Sequence, residues 1–284
     1  MPRLLLVGLA LSGSLAVTPR MGTPIANAPA DADKKTVAVL AFDNNSGKPD
    51  FEPLGRGLSA MMTSDLASVD ALQLVERDRL ADLTREIDHA GTKWFDSTTA
   101  VKAGRLVSAQ YVVTGSFITI DPAIRIDTRV IHVETGAIVK TAKVTGQQDQ
   151  LFELQQKLAR SLVKDLDVAL SPAAEAQLAE RQANNRVDDM PTMLRFSEGV
   201  RLSDQRDYAG ATLKLAPLAF TAQSALIKLT YDEVRRRATA RTNAKVDQEI
   251  TEQKRELNAQ VEQEKRKAAD KVKKGIGGLF KKPD

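Results

Sequence analysis

The sequence contains no cysteine. That excludes disulfides, zinc–thiolate sites, thiol catalysis and any lipid anchor attached through a cysteine. Histidine is almost as scarce: His89 and His132 lie far apart and belong to no metal-spaced cluster, so no metal is expected. Aromatic residues make up 4% of 284 residues, and none is interleaved with the basic run Arg235-Arg236-Arg237. That run reads as a solvated helix face, and no nucleic-acid partner is expected. The net charge of +4 is small for this length, so a pI near 9.2 does not by itself point to nucleic acid.

What is present suits a soluble globular protein of one α/β domain and an appendage, with 42% hydrophobic and 27% charged residues. Arg3 precedes an apolar run from Leu4 to Val17, which has signal-peptide length and is short for a membrane span. Small residues follow at alternate positions, Ala26-Asn27-Ala28-Pro29-Ala30. The expectation is a signal peptide over 1–30, cleaved after Ala28 or Ala30, and a periplasmic or secreted mature chain. The alternative is an uncleaved anchor helix.

Between Lys35 and Leu170 the periodicity alternates between two and about 3.6. Thr36 to Phe42 predicts a strand, and Pro53 opens a helix with Leu54, Leu58, Met61, Met62, Leu66 and Val69 on one face. Leu72 to Glu76 predicts a short strand, Asp78 a cap for a helix to about Ile87, and Asp96 or Ser97 a cap for a helix through Val107. Ala109 to Ile120 is apolar at odd and even positions alike, the mark of a strand covered on both faces, and so the centre of the sheet. Gly115 within it marks a bulge or a close backbone approach. After a tight turn at Asp121-Pro122-Ala123, Ile124 to Val133 alternates, with Ile124, Ile126 and Val130 against Arg125, Asp127 and Arg129. Thr135-Gly136 turns into a strand from Ala137 to Thr145, and Asp149 opens a helix with Leu151, Leu154, Leu158, Leu162 and Leu166 on one face. The fold class is α/β, a mixed β-sheet packed with helices in the order β-α-β-α-α-β-β-β-α, followed by an all-helical C-terminal region with a long helix.

The runs VAVLAFDN (37–44), LGRGLSAMMTSDLA (54–67), LQLVERDRLADLTREI (72–87), AGRLVSAQYVVTGSF (103–117) and RIDTRVIHVETGAIV (125–139) occur in the order of the curli-production CsgG-like family, which this stretch resembles. The resemblance implies a fold similar to the N-terminal domain of TolB, a role in cell-envelope assembly and no catalysis. Two departures matter. The family's channel is anchored through a cysteine, absent here. It also inserts two long hairpins per subunit into the outer membrane. A membrane strand needs about 9–11 residues with an apolar outer face, and Arg125, Asp127 and Arg129 do not supply one.

Candidate chemical residues weigh lightly. Gly55-Arg56-Gly57 with Ala60 and Glu76 has the spacing of a dinucleotide fingerprint, but a loop separates it from the preceding strand and Gly57 falls inside a helix. Ser46-Gly47-Lys48 lacks the upstream glycine of a P-loop and reads as a turn. Ser116 reads as a strand serine, His132 as a hydrogen-bonded core histidine and His89 as a loop residue. Asp78 and Asp82 with Arg77, Arg79 and Arg85 read as a solvated charged face. No catalytic, cofactor-binding or metal-binding residue is expected, and no cofactor.

A connector over 171–190 leads to a helical hairpin over 191–220, with Gly199, Leu202, Tyr208, Ala211 and Leu215 at tetratricopeptide-repeat spacings and Pro217 expected to end or kink its second helix. One such repeat cannot bury its own apolar face, so it must pack on the first domain, the next helix or another subunit. A long charged helix covers 221–275, with Val246, Ile250, Leu257, Val261, Ala268, Val272 and Leu279 in an eleven-residue repeat. A basic flexible tail, 276–284, closes the chain, its apolar tip spanning Gly275 to Phe280. The helix end could be solvated, touch an anionic membrane weakly, or pair with another subunit. The expected function is that of a non-catalytic envelope assembly or scaffolding protein whose partners are other envelope proteins or itself. The alternatives are a subunit of a curli-type secretion channel and, more distantly, a nucleotide-binding enzyme.

Overall fold

A computed structural model describes residues 34–80, 82–83, 93–187 and 189–279, with side chains through residue 267. The signal-like start, Arg85, His89, Gly91 and Phe280 onward lie outside the described residues.

The sheet has five strands in the order β2-β1-β3-β4-β5. They are β1 (Lys35–Asn44), β2 (Leu72–Leu74), β3 (Tyr111–Ile120), β4 (Ala123–His132) and β5 (Ile138–Gln147). β1 pairs in parallel with β2 and β3, whereas β3, β4 and β5 form an antiparallel meander. The stretch that is apolar at every position, β3, is the central strand, with Val112 and Val113 both fully buried on opposite faces. Gly115 meets the expectation of close approach, because a Cβ there would lie 2.3 Å from the Phe42 ring. Opposite it, the register of β1 shifts between Val39 and Phe42.

α1 (Leu54–Leu66) and α3 (Leu151–Asp165) cover one face, and their leucines and methionines meet Val37, Val39, Val113, Phe117, Ile126 and Val130 in one core. The other face carries a smaller core, in which Ala38, Leu40, Val112 and Ile131 pack against Trp94 and α2 (Ser97–Leu106). Asp96 caps α2 by accepting from Thr99 N at 2.8 Å, as expected of one of the two candidates. The Thr135-Gly136 turn places Gly136 at φ 71°, where a side chain is disfavoured. β5 runs two residues past the expected Thr145, and a 3-10 turn at Gln148–Gln150 precedes α3.

The C-terminal region forms α4 (Pro172–Asn184), α5 (Met190–Asp204), α6 (Tyr208–Thr221) and α7 (Ala225–Leu279). α5 crosses α1 at Gly57, where an added Cβ would stand 1.9 Å from Ser197 Oγ and 2.7 Å from Met193. α6 packs on α5 at Gly199, against Leu215. Met193, Phe196, Leu215, Leu218, Ile227 and Val234 are buried in the same core as the sheet's Val37 and Val113. The hairpin thus covers its apolar face with α1 and the start of α7, two of the three alternatives open to it.

Of the two outcomes expected at Pro217, an end to the helix does not occur, since α6 continues to Thr221, whose hydroxyl donates to Pro217 O at 2.8 Å. The missing N–H of Pro217 forfeits one bond within α6, while Leu215 and Leu218 on either side of it are buried in the core. α7 also runs on to Leu279, into the stretch expected to form the apolar tip.

Candidate functional site

Three clusters hold the charged side chains that are buried among the described residues. The first joins α5 to the sheet. Asp204, 5% exposed, accepts from Arg77 Nε at 2.7 Å and Arg77 Nη2 at 2.5 Å, and from Arg56 Nη1 at 3.5 Å. Arg56 lies over Trp94, its guanidinium carbon 5.7 Å from the ring centre. Next to it Arg206 pairs with Asp82 at 2.8 Å, and Arg237 of α7 pairs with Asp78. The face expected to be solvated is exposed at Asp78, Arg79 and Asp82, and ion pairs from distant residues reach it. The hairpin and α7 fold back over it, and their charges arrive from more than 100 residues away, beyond any local periodicity.

The second cluster surrounds Asp65, which is 1% exposed. Its carboxylate accepts from Gln155 Nε2 at 3.0 Å, Asn185 Nδ2 at 3.0 Å and Gln182 Nε2 at 3.3 Å. Burial pushes its pKa above the ordinary carboxylate range, and the three amides only partly oppose this. α1, α3 and α4 are tied together at this point. In the third, Asp43 at the end of β1 accepts from Trp94 N at 3.0 Å and Phe95 N at 2.8 Å, fixing the loop before α2. Burial raises its pKa as well. Each of these acids is bound to backbone or side-chain donors of a neighbouring element, an arrangement that holds elements together.

The glycines with fingerprint spacing are explained by packing. A Cβ on Gly55 would sit 1.8 Å from Phe42 O, and Gly57 faces Ser197, so both admit close helix contact inside the core. Glu76 is exposed just past β2. Gly47, at φ 66°, lies in the expected turn. Ser116 is a buried strand residue. His132 is half-buried, not a core histidine. Its Nδ1 lies 3.3 Å from Thr135 Oγ1 and its ring meets Tyr111 edge-on at 5.3 Å. The reason is position, since β4 ends at His132 beside the turn. Among the described residues there is no group of three or more His, Asp or Glu that could hold a metal ion, and no helix is long and apolar enough to cross a membrane.

One face remains open. α2, over β1, β3 and the Ile131 end of β4, covers only part of it. Beyond it, Ser116 and Ile118 of β3, Arg125, Asp127 and Arg129 of β4, and Thr141, Lys143 and Thr145 of β5 form rows across the strands, with Ser116, Asp127 and Lys143 in register. All of these but Ile118 and Thr145 line a groove of about 510 Å³ walled by Phe95. The Arg129 guanidinium stacks 3.7 Å from the Phe95 ring centre, and Arg125 pairs with Asp127 at 2.7 Å. Ile118 and Ile120 are exposed at its end, at 36% and 69%. β5 borders this face and is the edge strand. The alternation of β4 foretold that this face would be wet, but not that β5 and Phe95 would make a groove of it. A second groove, of about 620 Å³, runs between α3 and α4 over Val163, Val168, Leu170 and Leu178.

Residues 23–125 match the family model described as "Curli production assembly/transport component CsgG", so the resemblance read from the sequence holds over that stretch. Among curated proteins, one from Rhizobium meliloti (strain 1021), described as "Putative adenylate cyclase 3", is 26% identical over 156 residues, 55% of this chain and 24% of that protein. The chain thus spans about a quarter of the length of this relative. Similar solved structures include the LpoB C-terminal domain from Salmonella enterica, with 20% identity, 42% of this chain, 87% of that chain and a TM-score of 0.33. The PelC dodecamer from Paraburkholderia phytofirmans is similar with 20% identity, 48% of this chain, 92% of that chain and a TM-score of 0.30.

Proposed function

We propose that this protein is a non-catalytic assembly or scaffolding component of the cell envelope, acting in the periplasm through protein–protein contacts. The family match over residues 23–125 supports the envelope setting. The open sheet face carries the proposal for how contacts are made. It combines arginine, an aromatic wall and exposed isoleucines, a composition enriched at protein interfaces, and it ends in an edge strand able to accept a partner's strand. Internal roles for the buried acids and for Gly55 and Gly57 count against an enzyme.

The channel reading is less well supported. β3, β4 and β5 are each ten residues long, enough for a barrel strand. Their apolar face, however, is buried under α1 and α3, and the other face bears Arg125, Asp127 and Arg129.

Cross-linking in intact envelopes tests the reading. A photoactivatable group at position 141, on the same groove, should trap an envelope protein or a second copy. The charge reversal R125E with K143E should abolish the adduct without lowering the melting temperature, since both side chains are exposed. Equal adducts from the reversed and natural faces would overturn it.

A further inference from the structure

α7 is 55 residues long, about 82 Å at the usual helical rise. Its start is anchored by the buried Leu226, Ile227 and Val234, and its residues from Thr239 to Lys267 are all exposed. Along this free length Val246, Ile250, Leu257 and Val261 form an apolar stripe, 47%, 43%, 60% and 44% exposed, and the sequence continues it at positions 268, 272 and 279. Salt bridges within the helix, such as Lys265–Glu262 and Lys267–Glu264, satisfy part of the charge but cover none of the stripe.

Two features of the stripe specify what covers it. The first is its symmetry. The spacing of four and seven residues reads the same in reverse about Ala259, so 246 is matched with 272, 250 with 268 and 257 with 261. A helix with this pattern is its own antiparallel complement. The second is charge. From 247 to 264 there are six acids (Asp247, Glu249, Glu252, Glu256, Glu262, Glu264) and two bases (Lys254, Arg255), a net charge of −4. From 265 to 274 there are six bases (Lys265, Arg266, Lys267, Lys271, Lys273, Lys274) and one acid, Asp270, a net charge of +5. Parallel pairing would stack acidic block on acidic block and basic on basic. Antiparallel pairing lays the acidic stretch 247–253 (Asp247, Glu249, Glu252) beside the other copy's basic stretch 265–271, with positions 247 and 252 at the level of positions 271 and 266.

We propose that the projecting part of α7 pairs with the same segment of a second copy in an antiparallel two-helix contact centred on Ala259, the eleven-residue repeat giving it a straight or slightly right-handed course. The two bodies then stand at opposite ends of a charged rod. The inference is independent of the sheet-face reading, because it uses no residue of the sheet.

The absence of cysteine makes a clean test possible. Full-length I250C and A268C variants, one of them tagged, are mixed and oxidised. Antiparallel pairing yields the mixed disulfide in preference to either symmetric one, because 250 of one copy faces 268 of the other. Symmetric 250–250 and 268–268 products alone would mean parallel pairing and would overturn the proposal. Sedimentation equilibrium of the natural chain should give twice the chain mass at low salt, with association weakened at high salt. The double variant I250E/L257E should be monomeric with the body's thermal unfolding unchanged, since both positions are exposed. A natural chain that stays monomeric at low salt overturns the proposal. So does a monomer that co-sediments with phosphatidylglycerol vesicles through its basic end, which would assign the helix end to a membrane surface instead.

Discussion

Replacing Asp65 by alanine tests the way the C-terminal helices are joined to the sheet. The change removes one acceptor from three buried amides. Gln182 keeps a bond to Gln156 O at 3.3 Å and Asn185 keeps one to Ser64 Oγ at 3.0 Å, but the bond from Gln155 Nε2 at 3.0 Å is lost outright. A buried donor left unsatisfied costs about 1–3 kcal/mol, and each of the other two lost bonds about 0.5–1.5 kcal/mol. Removing a carboxylate that burial already disfavours offsets part of this. The net expectation is a loss of about 2–4 kcal/mol, measured as a shift of the urea midpoint at neutral pH with an unchanged slope. D65N keeps one acceptor oxygen and should lose less. The pH dependence has a definite sign. With its folded pKa raised above the ordinary value of 3.8, Asp65 binds its proton more readily in the folded state. The stability of the natural protein relative to D65N should therefore rise as pH falls from the raised value towards 3.8, and fall as pH rises through the same window. An alanine variant within about 0.5 kcal/mol of the natural protein, or a difference from D65N that is flat across the window, would refute the network described.

Two further substitutions probe packing. G57A replaces a helical glycine and would ordinarily add up to about 1 kcal/mol of stability; here its Cβ falls 1.9 Å from Ser197 Oγ, so thermal unfolding should show destabilisation. V113D places an unpaired carboxylate in the middle of the central strand and should cost about 3–5 kcal/mol, whereas R125A on the open face should cost under ~1 kcal/mol; equal melting temperatures for the two would mean that the sheet's faces are misassigned.

Local order was legible in the sequence wherever one side chain's environment follows from its neighbours along the chain. The two-sided apolarity of 109–120 marked the central strand, and the alternation in 124–133 marked one dry and one wet face. The leucine spacing of 151–166 marked the face that packs on the sheet, and Thr135-Gly136 marked the turn. Each follows from a periodicity of two or 3.6 acting over about ten residues. The family resemblance was legible in the same way, as motifs in order.

Tertiary structure alone decided what depends on residues distant in sequence. Asp78 and Asp82 are exposed, as the spacing of a solvated face implies, but that Arg237 and Arg206 pair with them, and Asp204 with Arg77, has no local sign. Gly57 resembles part of a phosphate loop in sequence, and in space it is the gap that admits Ser197. Asp65 gives no local sign that it would be sealed by Gln155, Gln182 and Asn185. The open groove likewise exists only because α2 covers half of one face and β5 ends the sheet. Periodicity tells a residue which way it faces, but what it faces is set by long-range packing, and the candidate interaction surface is a product of that packing.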